Sequence, residues 1–409
     1  MNRRNFVQAA VASTLSGKLP GKAKTKASRP NILLLMADQM RADCLGAYGN
    51  RLVKTPHLDS IAEQGARFDC AYTSTPSCTP ARSALLTGLS PWHHGMLGYT
   101  MMAAGYPLEK PRALAEAGYY TTVIGKNHFY PMRNPHGYHQ MIVDEHSTYW
   151  FDKNLEAVAA QASDEERADY DAWFWSQKPS TSPHATGLSW NDHRGRPFAL
   201  PERFHATQWT GDTAVNFLKS YERPEPFFLK VSFIRPHSPY DPPARWMSHY
   251  RDTEIPKPVV AKWAARYAPR SDASNDLWHG ALPWDEVRQS RQAYYGSVSF
   301  VDEQMGRILE TLEQRGILDE TLIVFLSDHG DMLGDQNMWR KTYAYEPSAR
   351  IPMLMRWPAG LLDAKRGQTF SQPVELRDIL PTFLEAAGTS PNREIDGRSL
   401  LSLVKDRGA

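Results

Sequence analysis

The chain has 409 residues, 41% hydrophobic and 22% charged, which is enough apolar content for one large core and too much for a disordered or fibrous protein. Its 47 basic and 45 acidic residues leave a formal charge of +2, which excludes a global field that gathers nucleic acid or an anionic membrane; any affinity for anions must be local. No apolar run approaches the roughly 20 residues that span a bilayer, and three cysteines are too few for a disulfide scaffold.

From the N-terminus, MNRRNFVQAAVASTLSG sets Arg3 and Arg4 before a short stretch of apolar and small residues. This reads as a bacterial twin-arginine export signal, so residues 1–28 are expected to be removed on the way to the periplasm and 29–409 to fold. Asn31–Ala37 (NILLLMA) is the first expected strand. A helix is expected over Pro56–Gln64, with Thr55 as N-cap, Leu58, Ile61 and Ala62 inward, and Gly65 as the stop. A second helix is expected to begin just after Pro80. Strands are expected at Tyr119–Ile124, Phe227–Phe233, Thr321–Leu326 and Pro352–Trp357, with helices near Thr207–Tyr221 and Val287–Gln314. Such alternation is the layout of an α/β domain with a largely parallel sheet. The segments Tyr130–His205 and Ser238–Asp285 are long, weakly periodic and rich in Pro, Trp and His, as expected of loops that shape a binding face.

In open α/β sheets, ligands bind beyond the carboxyl ends of the strands. Here the first strand is followed by Asp38-Gln39, the next by Gly125-Lys126-Asn127-His128, the third by Arg235-Pro236-His237 and the fourth by Asp328-His329-Gly330. One polar strand end is ordinary turn chemistry; several that converge point to a reaction centre. Of the cysteines, Cys44 and Cys70 are compatible with a disulfide or with two buried thiols, which leaves Cys78 as the odd one.

Cys78 opens Cys78-Thr79-Pro80-Ala81-Arg82, within SCTPARSALLTG. This resembles the signature of the sulfatases, in which the cysteine of C-x-P-x-R is oxidised to formylglycine. Other parts of the family pattern follow in order: RPNILLLMADQMRAD, GKNH, RPHSPYDPP and SDHGDMLGDQNMWRK. The resemblance runs from about Arg29 to about Leu403 and implies an alkaline-phosphatase-like three-layer α/β sandwich. It implies a hydrolase of sulfate esters whose hydrated aldehyde attacks sulfur with one hydroxyl and expels sulfate with the other. Asp38, Gln39, Asp328, His329 and the modified Cys78 would hold a divalent cation, Ca²⁺ by the oxygen ligands or Mn²⁺ by the histidine nitrogen. Many sulfatases carry a second Asp where this chain has Gln39 and an Asn where it has His329; both departures also occur in choline-sulfatase-like and phosphonate-monoester-hydrolase-like relatives. Arg82 is expected to fix the formylglycine hydroxyl and Lys126 to contact sulfate oxygens. His128 is expected to take the proton when sulfate leaves, and His237 and Lys341 to serve the sulfate and the departing alcohol, with His237 as general acid.

The partners implied are a sulfated carbohydrate and, during maturation, a formylglycine-generating enzyme, with no nucleic acid and no membrane span. A hydrolase of phosphate or phosphonate esters on the same scaffold, and a non-catalytic binder of sulfated glycans, fit the same residues. Trp173, Trp175, Trp190, Trp246, Trp263, Trp278 and Trp284 are candidates to face sugar rings or to pin loops. After a helix like Leu376–Ala387 and the segment IDGRSLLSLV, the family's antiparallel C-terminal subdomain is expected to be absent or truncated, which leads to an open site or an oligomer.

Overall fold

The computed structural model of the protein describes residues 29–145, 167–178, 181–183 and 186–408. The expected export signal lies outside them, as does part of the loop expected over Tyr130–His205.

Asn31–Asp38 (β1) is apolar from Ile32 to Ala37, and these residues divide by strand alternation between two cores. Ile32, Leu34 and Met36 face one, Leu33, Leu35 and Ala37 the other, as a strand covered on both faces requires. The remaining strands of its sheet are Ala66–Phe68 (β2), Tyr120–Gly125 (β3), Gln140–Val143 (β4), Phe227–Pro236 (β5), Thr321–Ser327 (β6), Met353–Arg356 (β7) and Gln368–Phe370 (β8). Their spatial order is β4-β3-β5-β1-β6-β7-β2-β8. β7 alone runs against its neighbours, and every other pairing in the sheet is parallel.

Helices cover both faces. Pro56–Glu63 (α1), Ala206–Ser220 (α5) and Trp284–Gln314 (α6) lie on one side. Cys78–Thr87 (α2), Lys110–Glu116 (α3), Ile379–Ala386 (α7) and Leu400–Gly408 (α8) lie on the other. This is a three-layer α/β/α sandwich with a mixed, mostly parallel sheet of eight strands. Within the expected loop Tyr130–His205 the chain forms β4 and the helix Asp169–Gln177 (α4), whose Tyr170 and Phe174 build a small core with Phe204 and Trp209.

Two local expectations need correction, and a third is met for a different reason. Helix α2 begins at Cys78 rather than after Pro80, because a proline in the first turn removes only an N–H that has no intrahelical partner. Thr55 stands at the N-cap of α1, but its hydroxyl bonds Gly46 and Asp59; the α1 N–H groups of His57 and Leu58 donate instead to Asp302 of α6. Gly65 ends α1 without a left-handed turn. A Cβ there would overlap the Met355 carbonyl oxygen, so close approach to β7 selects glycine. Cys44, Cys70 and Cys78 are all free thiols, which closes the question of a Cys44–Cys70 bridge.

Candidate active site

The strands that end in polar residues, β3, β5, β1 and β6, are adjacent and parallel, so their carboxyl ends form one rim. At that rim the β1–β5 register shifts between Ala37 and Asp38, so that Asp38 pairs with Pro236. Such a bulge re-aims side chains at the end of a strand. Gly125 turns β3 sharply at φ 94°, against the Ser232 carbonyl oxygen, where no side chain fits. Lys126 is thereby directed inward.

Asp38, Asp328, His329 and Cys78 meet in a fully buried cluster whose ligand atoms all lie within 4.8 Å of one another. Cys78 Sγ is 3.2 Å from His329 Nε2 and 3.9 Å from Asp38 Oδ1. His329 Nδ1 bonds the Gly330 carbonyl oxygen at 2.9 Å, which leaves Nε2 unprotonated toward the cluster whenever the ring is neutral. Burial opposes a charge on that ring, yet Asp328 and Cys78 beside it raise its pKa to about 9. Two carboxylates, an imidazole nitrogen and residue 78 form a donor set that fits a divalent cation.

Arg82, one turn after Cys78, is buried and binds both carboxylates, Asp328 Oδ2 through Nε at 2.9 Å and Asp38 Oδ2 through Nη2 at 3.1 Å. Its Nη1 donates to the Lys126 carbonyl oxygen at 2.7 Å and to Ser232 Oγ at 3.2 Å. Arg82 thus clamps the two carboxylates together. Lys126 Nζ pairs with Asp38 Oδ2 at 2.7 Å and sits 5.3 Å from the centre of the Trp190 ring. Burial raises the Asp38 pKa, but Lys126, His237, Arg82 and His329 outweigh it and hold the carboxyl well below its usual range.

His128 is kept neutral, its pKa pushed well below the usual range by burial and by Lys126 and Arg82. Its backbone adopts φ 60°, and the N–H groups of Asn127 and His128 both donate to Glu145 Oε1. His237 is depressed in the same way, by burial and then Lys341 and Lys126. Its Nδ1 bonds the Ser238 carbonyl oxygen at 2.6 Å, so Nε2 accepts from Lys341 Nζ at 2.5 Å. The proton between these two groups is carried by Lys341 Nζ, with His237 Nε2 as its acceptor. Gln39 directs its side chain away from the cluster. Its Nε2 donates to Asp331 and its Oε1 accepts from Lys341 at 2.8 Å, while its backbone N–H reaches Asp328 Oδ1 at 3.1 Å.

Asp331, Glu145, Tyr99 and Tyr240 were not singled out from the sequence. Asp331 had a signal, a second Asp in SDHGD, and Tyr240 stands within RPHSPYDPP; Tyr99 and Glu145 stand in segments without a motif. Tyr99 is 63% exposed with its hydroxyl 3.4 Å from His128 Nε2, which places a polar aromatic at the mouth. Among the tryptophans, Trp190 lies tilted by 31° against His237, with ring centres 4.6 Å apart. Trp173 joins the α4 core, with Trp175 packed against it, and Trp246 bonds Glu303. Trp263 and Trp278 remain partly exposed, against Tyr345 and Arg340.

A buried thiol among cations, an oriented imidazole, a carboxylate pair and two lysines can neutralise a tetrahedral anion and attack its central atom. A sequence profile described as Sulfatase matches residues 30–389. The chain is 38% identical over 384 residues to an arylsulfatase of Clostridium perfringens, spanning 93% of this chain and 79% of that protein. It is 27% identical over 459 residues to an N-acetylglucosamine-6-O-sulfatase of Bacteroides thetaiotaomicron, spanning 98% and 75%. Its fold superposes on a phosphonate monoester hydrolase of Agrobacterium radiobacter with a TM-score of 0.71 and 26% identity, over 92% of this chain and 77% of the other.

Proposed function

Because the chain belongs to the sulfatase family, of alkaline-phosphatase-like fold, and is a sulfuric ester hydrolase, we propose that it acts through a formylglycine made from Cys78. The observation that carries this reading is Cys78 at the first residue of a buried helix, its Sγ 3.2 Å from His329 Nε2 and facing Asp38. Backbone N–H groups at that helix start favour a bound anion.

Asp38, Gln39, Asp328, His329 and residue 78 would hold a divalent cation, Ca²⁺ with Mn²⁺ as the alternative. That cation would supply positive charge to the sulfate oxygens, and the formylglycine hydrate would supply the nucleophilic hydroxyl and a second one for sulfate release. The chain's own groups do the rest. Arg82 bridges the two carboxylates and holds them in place. Lys126 and Lys341 neutralise sulfate oxygens, and the neutral His128 accepts a proton at its ring during sulfate release. On the opposite side, Lys341 with His237 delivers a proton to the departing alcohol oxygen.

For the alcohol we favour a sulfated carbohydrate. The twin-arginine leader supports it, because an exported enzyme meets polysaccharides, and so does the likeness to an N-acetylglucosamine-6-O-sulfatase. Residues 29–409 would then be the mature catalytic unit, matured by a formylglycine-generating enzyme before export to the periplasm. The peptide mass at Cys78 from a competent host, with desulfation assays on aryl and sugar sulfates, tests the reading. An unmodified thiol in fully active enzyme refutes it. The likeness to a phosphonate monoester hydrolase favours a second reading, hydrolysis of phosphonate esters, and a larger kcat/KM for an aryl phosphonate than for the aryl sulfate would put it first.

A further inference from the structure

The loop that follows β6 carries Lys341 at the rim and then climbs to the surface. Lys341 is buried, whereas Thr342 is exposed, its N–H on the Pro76 carbonyl oxygen two residues before Cys78. Tyr345, four residues beyond Lys341, is exposed as well and at most about 14 Å of chain away. Its ring stacks on Trp263 with ring centres 5.5 Å apart, and the run of rings continues through Tyr267 to His279. Beside His279, one face of Trp278 is covered by the Arg340 guanidinium, 3.8 Å from the ring centre. Val259, Val260, Trp263, Trp278 and Tyr345 make up five of the ten large apolar side chains that the described residues leave exposed.

Hydrogen bonds hold this face to the loop of Lys341. The Trp339 N–H and the Tyr343 hydroxyl both donate to the Trp278 carbonyl oxygen, at 2.9 and 3.0 Å. Asn337 Nδ2 donates to the Ala264 carbonyl oxygen at 3.1 Å, and the Ala261 N–H to Gln336 Oε1 at 2.9 Å. The rings are therefore fixed before anything binds, which lowers the entropic cost of binding. Their surround is basic: residues 259–270 include Lys262, Arg266 and Arg270 and no acid. A second copy of the chain docked here by two-fold symmetry would set these cations against their own kind. A sulfated sugar chain complements both features, with C–H faces for the rings and sulfates for the cations.

We propose that this face is an outer subsite that holds the sugar units next to the sulfated one, so that the enzyme acts on sulfated oligosaccharides in preference to single sugars. The proposal rests on the carbohydrate reading given under the proposed function. The test compares desulfation by the mature enzyme of sulfated monosaccharides and of tetrasaccharides from heparin, chondroitin sulfate and carrageenan, with nitrophenyl sulfate as reference. Trp263→Ala should lower kcat/KM on the order of tenfold for the tetrasaccharide that the wild type turns over, mainly through KM, and leave the single sugar and nitrophenyl sulfate within about twofold. Arg266→Glu, a change at an exposed side chain, should give the same selective loss, and a smaller dependence of KM on salt. Equal losses on single sugars and chains, or no loss on chains, overturn the proposal. So does light scattering that finds a dimer which Trp263→Ala dissociates, since the face would then serve self-association. If the wild type hydrolyses nitrophenyl sulfate but no sulfated sugar of either length, the carbohydrate reading falls and the proposal with it, so the two failures are told apart.

Discussion

Burial and Asp38 push the Cys78 thiol up, but Lys341, Lys126 and His329 outweigh them, and it lies below its usual range. The cations that do this are those a sulfate oxygen would meet, so the pocket is built for negative charge before any modification. Replacing Cys78 with Ala should abolish turnover of an aryl sulfate and change stability by no more than about 1 kcal/mol, since only a small side chain is lost from a charged pocket. Parallel melting curves and assays check both halves. Arg82 behaves differently, because it bridges two buried carboxylates that otherwise face each other. Arg82→Met should cost about 3–5 kcal/mol, the scale for removing one partner of a buried ion pair, and abolish activity as well. A variant that folds with wild-type stability would show that Lys126 suffices to balance Asp38 and Asp328.

Helix α1 is short, and its docking depends on a residue far away in sequence: Asp302 of α6 accepts from Leu58 N–H at 2.8 Å and from His57 N–H at 3.3 Å. Removing this cap with Asp302→Ala should cost about 1–2 kcal/mol in chemical denaturation, whereas Thr55→Val should cost less of the helix start itself. In the first turn of α3, Lys110 is buried with its ammonium 5.5 Å from the Phe383 ring centre and 5.9 Å from that of Phe228. Among the described residues its Nζ has no hydrogen-bond partner, and burial pushes its pKa down to about 7. Between pH 7 and the usual lysine value of about 10.4, the unfolded chain holds a proton that the folded one has released. Unfolding there takes up a proton, so stability rises with pH across that window and is flat below it, where both states are charged. Lys110→Met should therefore stabilise the protein by about 2–4 kcal/mol at pH 6, with ring contacts offsetting part of the gain, and by little at pH 10. Urea titrations at the two pH values decide it, and a gain independent of pH would remove the buried charge from the explanation.

At the scale of the molecule, the site is a rim to which four parallel strands and one helix each contribute a side chain, so a bound cation ties together segments far apart in the chain. Ca²⁺ at 100 times its dissociation constant should raise the unfolding free energy by about 2.7 kcal/mol, and a chelator should lower the melting temperature and abolish turnover. Asp38→Ala and Asp328→Ala should remove the Ca²⁺-dependent shift; its persistence in both would place the ion elsewhere. Much of this architecture was legible in the chain itself. The apolar run of β1 and those of β3, β5 and β6 each announce a strand, and the polar residues just after them announce the rim, because period and turn chemistry are local properties. The short strands β2, β4 and β8 and the helix α4 were not legible, since a few residues carry too little period and gain their order from neighbours. Nor was the reversal of β7, because an apolar run reads alike in both directions. By itself the sequence determined the long central strands, a helix beside Cys78 and the set of charged residues at the rim. Only the tertiary structure decided which charges meet: that Arg82 clamps carboxylates, that Asp302 caps α1, and that Gln39 turns to Asp331, 292 residues away. Such partners are chosen by desolvation, which leaves a buried donor or acceptor no alternative but the group beside it, and that neighbour is set by the packing of layers rather than by position along the chain.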